Sequence, residues 1–453
     1  MSKQLFKDFP EVNSKQWKQK IQADLKGADY NDTLIWHTNE GIDVKPFYHS
    51  DEFHATPLPS HTTSSAFKIT QSIVVEDNTN ANVKALDAIN RGAEAIIFEV
   101  NSKTMSLDNL VKGIDLEKNP VHINLNVISE SILDEIKGNS KYSLGIDIIG
   151  NLARTGNWYS SLKEDHRFFE AFVSKSNTVT IDLALYQNAG ANIVQQLAYS
   201  ISHLNEYFNH FDGVLTSDQK KELNVVFNVS VGTNYFFEIA KLRALRSLHT
   251  SLAKAYSMNP SCSIHATPTK RNKTLYDYNT NMLRTTTECM SAVLGGADWI
   301  ANQPYDAIYH KTNEFGERIS RNQLLILKNE SYFDKVDNPT DGAYYIISLS
   351  TQLSEKALDI VKSMEASGGF LSQLKEGTIQ KKIKESANKE QGQFETSELV
   401  LLGTNKYPNP DDKMKDNLEI DPFLKYNPIK TLIEPILEKR LAETIEQERL
   451  KTE

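Results

Sequence analysis

Between residue 67 and about residue 330, short apolar runs alternate with segments of helical periodicity. The eight runs of strand length are FKITQSIVV, AIIFEV, VHINLNV, SLGIDII, VTIDLAL, NVVFNVSV, CSIHA and DWIAN. Most precede a segment with apolar residues at i, i+3, i+4 and i+7, such as GANIVQQLAYSISHLNEYF or TNYFFEIAKLRALRSLHTSLAKAY. Because strands that alternate with helices form parallel sheets, and eight units fit about 260 residues, we predict an α/β chain with a (β/α)8 barrel. An open doubly wound sheet is the alternative, although neither G-x-G-x-x-G nor G-x-x-x-x-G-K-[ST] is present to favour it.

The segments on either side of this pattern predict extensions of the barrel. Residues 1–60 are interpreted as an N-terminal arm with a helix from Trp17 to Leu25 and a two-strand pattern, and as a subunit contact. Residues 61–410 are assigned to the barrel and its trailing helices. Residues 411–453 are assigned to a linker and a charged amphipathic helix, IKTLIEPILEKRLAETIEQERLKTE. The arm has little core of its own, so we expect its large aromatic residues to pack on the barrel or on another chain: Trp17, Trp36, Phe47 and Tyr48.

Charge and composition exclude several classes of protein. A net charge of −9 and a pI near 5.8 argue against a nucleic-acid partner, because such binders concentrate positive charge. No apolar run approaches the roughly 18 residues that a membrane helix needs, and the N-terminus lacks the apolar core of a signal peptide. Only Cys262 and Cys289 occur, without a CxxC pair or a Cys/His cluster, so no metal site is expected. We expect both cysteines to be buried, and the chain to be cytoplasmic.

Three motifs in a fixed order carry a resemblance to a known family. They are NTNMLRTTTECMSAVLGG, FGERISRN and NPTDGAYY. They resemble N-N-x-x-R-T-T-x-E-A-M-A-A-x-x-G-G, F-S-x-R-I-A-R-N and D-P-x-x-G-S-x-Y of the adenosylcobalamin-dependent acyl-CoA mutases, methylmalonyl-CoA mutase above all. The likeness covers nearly the whole chain, and the opening DLKGADYNDTLIWHTNEGIDVKPFY is most similar to the small subunit of the two-chain enzymes. The resemblance implies a barrel fold and a part in the interconversion of methylmalonyl-CoA and succinyl-CoA in propionate metabolism.

The motif residues also have simple structural interpretations. Gly295 and Gly296 end a helix before the eighth strand, since glycine adopts positive φ readily. Arg284 and Glu288 stand four residues apart on one helix face and can form a structural pair. Two further arginines, Arg318 and Arg321, are expected to hold their helix against the barrel.

The cobalamin-binding equipment of active relatives has no counterpart in this sequence. Active chains carry a C-terminal domain with an Asp-x-His-x-x-Gly motif whose histidine ligates cobalt. Asp165 and His166 are adjacent instead of correctly spaced, and we expect both to lie on the surface. We also expect no cobalamin-binding domain after the barrel, because the sequence ends at Glu453. The resemblance then places adenosylcobalamin on a partner chain, the large subunit of a heterodimer, and none on this chain.

Several barrel-mouth positions also depart from the family pattern. Active chains have a Tyr-His pair where ALYQNAGA places Ala184 and Leu185, neither of which has a side-chain hydrogen-bond donor. An Asn and a Glu that reach the cofactor correspond to Gln303 and Ala307. We therefore predict no catalytic residue in this chain.

Two polar residues match the family at the strand ends, where barrel enzymes keep their chemistry. His265 matches after the seventh strand, in the stretch IHATPTKR, and Asp306 matches after the eighth. Both are weak candidates for cofactor-binding residues at the barrel mouth. For His265 the alternative is a structural histidine inside the barrel.

Three functional hypotheses follow. The first is a non-catalytic small subunit that supports a catalytic large subunit of methylmalonyl-CoA mutase. The second is an active acyl-CoA mutase barrel that works with a separate cobalamin-binding protein, against which the replaced Tyr-His pair counts. The third is a repurposed barrel that binds an acyl-CoA or another anion as a sensor.

Overall fold

Eight parallel strands form the centre of the computed structural model, which describes residues 8–53, 64–136, 141–424 and 429–453. The strands are β1 Lys68–Val75, β2 Ala95–Val100, β3 Val121–Leu125, β4 Ser143–Gly145, β5 Thr178–Asp182, β6 Asn224–Val231, β7 Ser261–Pro268 and β8 Trp299–Ala301. Consecutive strands pair in parallel from β1 to β4 and from β5 to β8, and β8 pairs with β1. Strands β4 and β5 lie side by side and complete the ring. The predicted (β/α)8 barrel is confirmed.

Helices follow the strands and surround them. In the arm and around the barrel they are α1 Ser14–Asp24, α2 Tyr30–Leu34, α3 Asn78–Asn90, α4 Leu107–Leu110, α5 Glu130–Glu135, α6 Ile148–Thr155, α7 Leu162–Ser176, α8 Ala184–Asn188, α9 Ile193–Asp212, α10 Ser217–Glu222, α11 Tyr235–Ala255, α12 Thr280–Leu294 and α13 Glu314–Asn329. After the barrel they are α14 Tyr344–Ala366, α15 Phe370–Lys375, α16 Thr378–Glu395 and α17 Glu443–Thr452. Within the described residues, none of the helices is long and apolar enough to cross a bilayer.

The main core lies between the strands and the helices. Outward-facing strand residues such as Ile69, Phe98 and Phe227 are almost completely buried there. Burying a side chain of this size contributes about 1.5–3 kcal/mol. Helices α9, α11 and α14 pack on one another and on this layer, so the apolar face that the helical periodicity predicts is the face that meets the barrel.

Two of the predicted strands are shorter than their apolar runs. SLGIDII forms a strand only to Gly145, and VTIDLAL only to Asp182. The rest of each run enters a helix, α6 or α8. Asp147 begins α6, because its side chain accepts a hydrogen bond from the backbone N–H of Gly150 at 2.7 Å. An apolar run does not distinguish a buried strand from a buried helix start.

The predicted C-terminal helix is only partly present. Helix α17 covers Glu443–Thr452, whereas residues 429–442, here named the mouth strap, are not helical. Pro435 cannot continue a helix. The strap N–H groups bind carbonyls in the last turns of α6 and α8 instead: that of Ile436 binds Ala153 at 2.8 Å and that of Lys439 binds Asn188 at 3.1 Å. The strap therefore crosses the end of the barrel at which the strands terminate.

The N-terminal arm packs on the outer helices of the barrel. Trp36 meets Phe237 of α11 edge to face at 5.8 Å between ring centroids, and Tyr48 lies 5.3 Å from Tyr345 of α14. Trp36 stays 50% exposed, and Trp17, which stacks on an arm residue, stays 44% exposed. The predicted boundary between arm and barrel, at residues 60 and 61, lies outside the described residues. So do residues 1–7 of the arm and 425–428 of the linker.

The prediction that Asp165 and His166 lie on the surface is wrong for Asp165. Asp165 is completely buried and accepts hydrogen bonds from the backbone N–H groups of Tyr159 and Ser160 at 2.8 and 3.0 Å. It is buried because it holds the turn that leads into α7. His166 beside it is partly exposed and binds the backbone carbonyl of Leu162.

The motif helix α12 has a different charge pairing from the one suggested by spacing. Glu288 is fully buried and pairs with Lys273 at 2.8 Å. Arg284 donates instead to Thr274 and to a backbone carbonyl. Gly296 has φ +83° at the end of the helix, as expected. Arg321 does hold its helix to the barrel, through a 2.9 Å hydrogen bond to a β1 side chain.

The two cysteines are both free thiols. Cys289 is buried, as expected, whereas Cys262 is partly exposed.

Candidate ligand-binding cavity at the barrel mouth

The inner face of the barrel is polar, whereas most barrels of this fold fill that space with branched apolar side chains. The strand register turns a set of polar residues to the axis, among them Ser72, Glu99, Asn124, Thr180, Asn228 and Thr267. Even Val74, which faces the same side, is 54% exposed. The result is a cavity of about 860 Å³ that opens at the C-terminal ends of the strands.

Three aromatic rings pack together at the floor of this cavity, and His265 is the one that lines it. His122 on β3 and His265 on β7 come from strands four apart around the ring, and their centroids are 4.9 Å apart. Trp299 on β8 stacks on His265 at 4.6 Å with an angle of 16° between the rings. Burial lowers the pKa of His122 to about 4. Burial and the neighbouring His122 also hold the pKa of His265 well below its usual range, so both rings are neutral near pH 7.

A hydrogen-bonded row runs from this floor to a carboxylate. Glu99 Oε1 accepts a hydrogen bond from Asn124 Nδ2 at 2.7 Å, and Glu99 Oε2 accepts one from Asn126 at 3.3 Å. The oxygen of the Asn124 amide then faces His122 Nε2 at 2.8 Å. His122 must donate there, so its Nδ1 accepts the hydroxyl of Ser143 at 2.7 Å. Burial raises the pKa of Glu99, although the two amides oppose the increase.

The wall at β4 and β5 carries two further carboxylates, and each has a basic partner. Asp147 lies 3.0 Å from Nε2 of His203 and accepts the hydroxyl of Tyr207 at 2.7 Å. Burial alone would raise the pKa of Asp147, but these partners lower it overall. Asp182 is paired with Arg154, whose guanidinium opposes the rise that burial gives the pKa of Asp182.

Both residues singled out from the sequence line the cavity. His265 lies on the floor and Asp306 at the rim, where its Oδ2 accepts from Asn313 at 2.8 Å and lies 3.1 Å from His310 Nδ1. Each has a second polar atom that is buried without a hydrogen-bond partner, Nδ1 in His265 and Oδ1 in Asp306. Among the described residues, no group of three His, Cys, Asp or Glu side chains is arranged to hold a metal ion.

The positions that differ from active relatives are at the same mouth. Ala184, Gln303 and Ala307 line the cavity. Leu185 does not, since it is completely buried in the core. No side chain at Ala184 or Ala307 can donate or accept a proton there.

Sequence reasoning missed the residues that define the cavity wall: Glu99, His122, Asn124, Asp147, Arg154 and Asp182. A signal was present in the strands. In VHINLNV every second residue is polar, and TVTID on β5 has polar residues at Thr178, Thr180 and Asp182 with the same period. This alternation indicates a strand with one wet face, whereas the buried strands of a filled barrel are apolar on both faces.

Known proteins similar to this chain share most of its length. The family model described as methylmalonyl-CoA mutase matches residues 100–451. The methylmalonyl-CoA mutase small subunit of Porphyromonas gingivalis is 32% identical, over 99% of this chain and 78% of that protein. The chain belongs to the methylmalonyl-CoA mutase family. The methylmalonyl-CoA mutase of Rhizobium meliloti is 27% identical, over 91% of this chain, and the human mitochondrial enzyme is 28% identical, over 90%.

The chain spans 66% of the length of the Rhizobium mutase and 62% of the human one. This member of the methylmalonyl-CoA mutase family has a barrel with a polar cavity, two alanines at the rim of that cavity, and a strap across its opening.

Proposed function

We propose that the chain is the non-catalytic small subunit of a heterodimeric methylmalonyl-CoA mutase and supports a catalytic large subunit. The proposal rests on the residues found at the rim of the barrel. Ala184 and Ala307 line the mouth where the resemblance expects hydrogen-bonding side chains, and Leu185 is in the core. The similarity to the Porphyromonas gingivalis small subunit supports the same assignment.

The residues at the mouth do not fit adenosylcobalamin. The mouth strap binds the carbonyls of Ala153 and Gly156 after β4, of Asn188 after β5 and of Arg271 after β7. Glu438 of the strap lines the cavity itself. The strap occupies this part of the mouth, and Ala184 and Ala307 offer no polar side chain to hold a corrin. We therefore place that cofactor on the partner large subunit and derive no reaction step in this chain.

The exposed aromatic residues of the arm support a protein partner. Trp17 and Trp36 keep about half of their surface exposed on an arm that is already packed on the barrel. Aromatic side chains are enriched at the centres of protein interfaces. We place part of the large-subunit contact on this surface. A partner that binds only the folded chain also stabilises it by mass action.

Turnover measurements test the proposal directly. The purified chain is assayed for conversion of methylmalonyl-CoA with adenosylcobalamin, alone, with a separate cobalamin-binding protein, and with a full-length mutase large subunit. We expect turnover only when the large subunit is present. Turnover by this chain with a cobalamin-binding protein alone would establish the alternative, an active barrel with a separate cofactor carrier.

Co-purification tests the interface. Trp17→Ala and Trp36→Ala together should weaken the complex with the large subunit at least about tenfold, since interface aromatics of this kind contribute about 2 kcal/mol or more. Leu283→Ala is the matched control, because Leu283 is 70% exposed on the motif helix, away from the arm. An unchanged complex in the double variant would contradict an interface on the arm.

A further inference from the structure

The geometry points to a second role for the barrel: its cavity binds a small polar molecule that carries an ammonium group, with that group against Glu99. The inference does not depend on the proposed partner. It concerns a chemical class, a compact hydroxylated amine, that differs from the large anionic acyl-CoA substrates of the family.

The partners of the Glu99 carboxylate leave room for a ligand. Its hydrogen bonds come from the amides of Asn124 and Asn126, and within the described residues no Lys, Arg or His lies within ion-pair distance of it. Two other buried carboxylates, Asp147 and Glu288, each have a basic partner at 3.0 and 2.8 Å. An ionised carboxylate accepts about four hydrogen bonds. Glu99 therefore retains acceptor capacity on the side that faces the cavity, which a cation satisfies best.

Buried polar atoms without hydrogen-bond partners surround the same space. Thr180 is 2% exposed and its Oγ1 has no hydrogen-bond partner, and the same holds for Nδ1 of His265, which is 5% exposed. Both residues line the cavity. Leaving such atoms unpaired is costly unless a ligand or water binds them. Across the barrel from Glu99, they provide positions for a hydroxyl group of the ligand.

The charged side chains that line the cavity also indicate the sign of the ligand's charge. Asp306, Glu317 and Glu438 line the cavity at its open end. Three basic residues line the cavity as well: Arg154 pairs with Asp182, Lys270 lies 3.8 Å from Glu438, and Lys311 forms no ion pair among the described residues. A cleft lined mainly by one sign of charge attracts ligands of the opposite sign. Over the whole cavity six carboxylates face the three basic residues Arg154, Lys270 and Lys311, so the cavity favours cations over anionic acyl-CoA.

Three aromatic rings close the floor of the cavity. The rings of His122, His265 and Trp299 contact one another from β3, β7 and β8, so among the described residues they block the lower end and a ligand enters by the mouth. The volume of about 860 Å³ lies within the range of about 300–1,000 Å³ that is usual for small-molecule sites. Trp299 is also a natural reporter, because its indole stacks on His265, which lines the cavity and is disturbed by a bound molecule.

The experiment compares pairs of probes that differ only in charge. Ethanolamine is compared with ethylene glycol, and 4-aminobutanol with 1,4-butanediol, by isothermal titration and by tryptophan fluorescence of the full chain. We expect each amine to bind at least about tenfold more tightly than its diol, which is the effect of one charge-assisted hydrogen bond. Diols that bind as tightly as the amines would overturn the proposal, as would the absence of binding by both amines.

Three variants locate the site. Glu99→Gln should reduce the affinity for both amines about tenfold, whereas Glu317→Gln, which changes a rim carboxylate of the same cavity, should change it less than about threefold. Trp299→Phe should abolish the fluorescence change and keep the heat of binding. Unchanged amine affinity in Glu99→Gln would exclude the assigned position.

A fourth variant keeps the test independent of Glu99. Thr180→Val preserves the shape of a buried side chain and removes its unpaired hydroxyl. We expect it to weaken 4-aminobutanol several-fold and to leave butylamine, which has no hydroxyl, unchanged. Equal effects on both amines would contradict the role of Thr180. Binding of coenzyme A that is stronger than amine binding and insensitive to Glu99→Gln would contradict the proposed ligand class.

Discussion

The outer and inner faces of the barrel strands differ in polarity and in packing. On β6, Phe227 faces outward and is completely buried, whereas its neighbour Asn228 faces the axis and lines the cavity. On β2, Phe98 and Glu99 show the same contrast. The outer face is a close-packed apolar layer that holds the helices to the barrel. The inner face is polar and encloses space, so stability and ligand chemistry lie on opposite sides of the same strands.

Buried charges show the same division. Glu288, behind the barrel wall, is matched by Lys273 and by the amide of Asn272. Glu99, inside the wall, is held by amides alone. A buried carboxylate with a full set of partners is a structural element, whereas one that lacks a cation and faces a cavity is a candidate ligand group.

The largest expected effect separates the two faces directly. Phe227→Ala should reduce the free energy of unfolding by about 4 kcal/mol, because it removes a buried ring and leaves a void in the outer layer. Asn228→Ala, one residue away on the inner face, should change it by less than about 0.5 kcal/mol. Urea unfolding followed by circular dichroism measures both. Similar losses in the two variants would show that the inner face is packed as tightly as the outer one.

The paired carboxylate behind the wall should give the next largest effect. Lys273→Met leaves Glu288 buried without its cation, and the free energy of unfolding should fall by about 3 kcal/mol. In the double variant Lys273→Met/Glu288→Leu most of that loss should be recovered, since neither charge remains. Chemical unfolding of the single and double variants provides the comparison. A double variant that is no more stable than the single one would indicate that the pair also positions neighbouring groups.

The barrel could be predicted from the sequence because its outer face determines the pattern. Residues such as Ile73, Phe98 and Val225 produce apolar runs of strand length, and the helices between them show clear periodicity. The family resemblance reached His265 and Asp306 because they match motif positions, and both lie at the cavity. The strand ends were less accurate, since apolar residues continue into α6 and α8 without a break.

The strap and the floor required the three-dimensional structure. Residues 429–442 have helical periodicity in the sequence, but carbonyls at and just after the ends of α6 and α8 satisfy their N–H groups better than a helix interrupted by Pro435. The contact between His122 and His265 joins strands more than 140 residues apart in sequence, as their numbers show. That Glu99 has no ion-pair partner among the described residues is likewise a property of the folded chain.

The floor histidines should make stability depend on pH. Burial lowers the pKa of His122 to about 4, so the unfolded chain binds a proton at this residue more readily than the folded chain between about pH 6.5 and pH 4. Stability is therefore lost as the pH falls through this range, by about 2 kcal/mol for His122 between pH 7 and pH 5. His122→Gln should flatten the profile by that amount, and Asn228→Ala should leave the slope unchanged. Urea unfolding at both pH values measures the difference; an unaltered slope in His122→Gln would contradict a neutral floor.

The smallest expected effect has the opposite sign. Burial raises the pKa of Glu99, so its ionised form opposes folding at neutral pH, and that penalty disappears once the pH falls below the carboxyl's unfolded pKa. Glu99→Gln should therefore raise the free energy of unfolding at pH 7 by about 0.5–1 kcal/mol, a usual gain when a functional group is removed. The gain should vanish near pH 4, where an unfolded glutamate is half protonated at about pH 4.3. Glu288→Gln is the matched control and should destabilise, because Glu288 has Lys273 as a partner. If both variants destabilise, Glu99 is structural like Glu288, and the contrast between the two sides of the wall does not hold for charge.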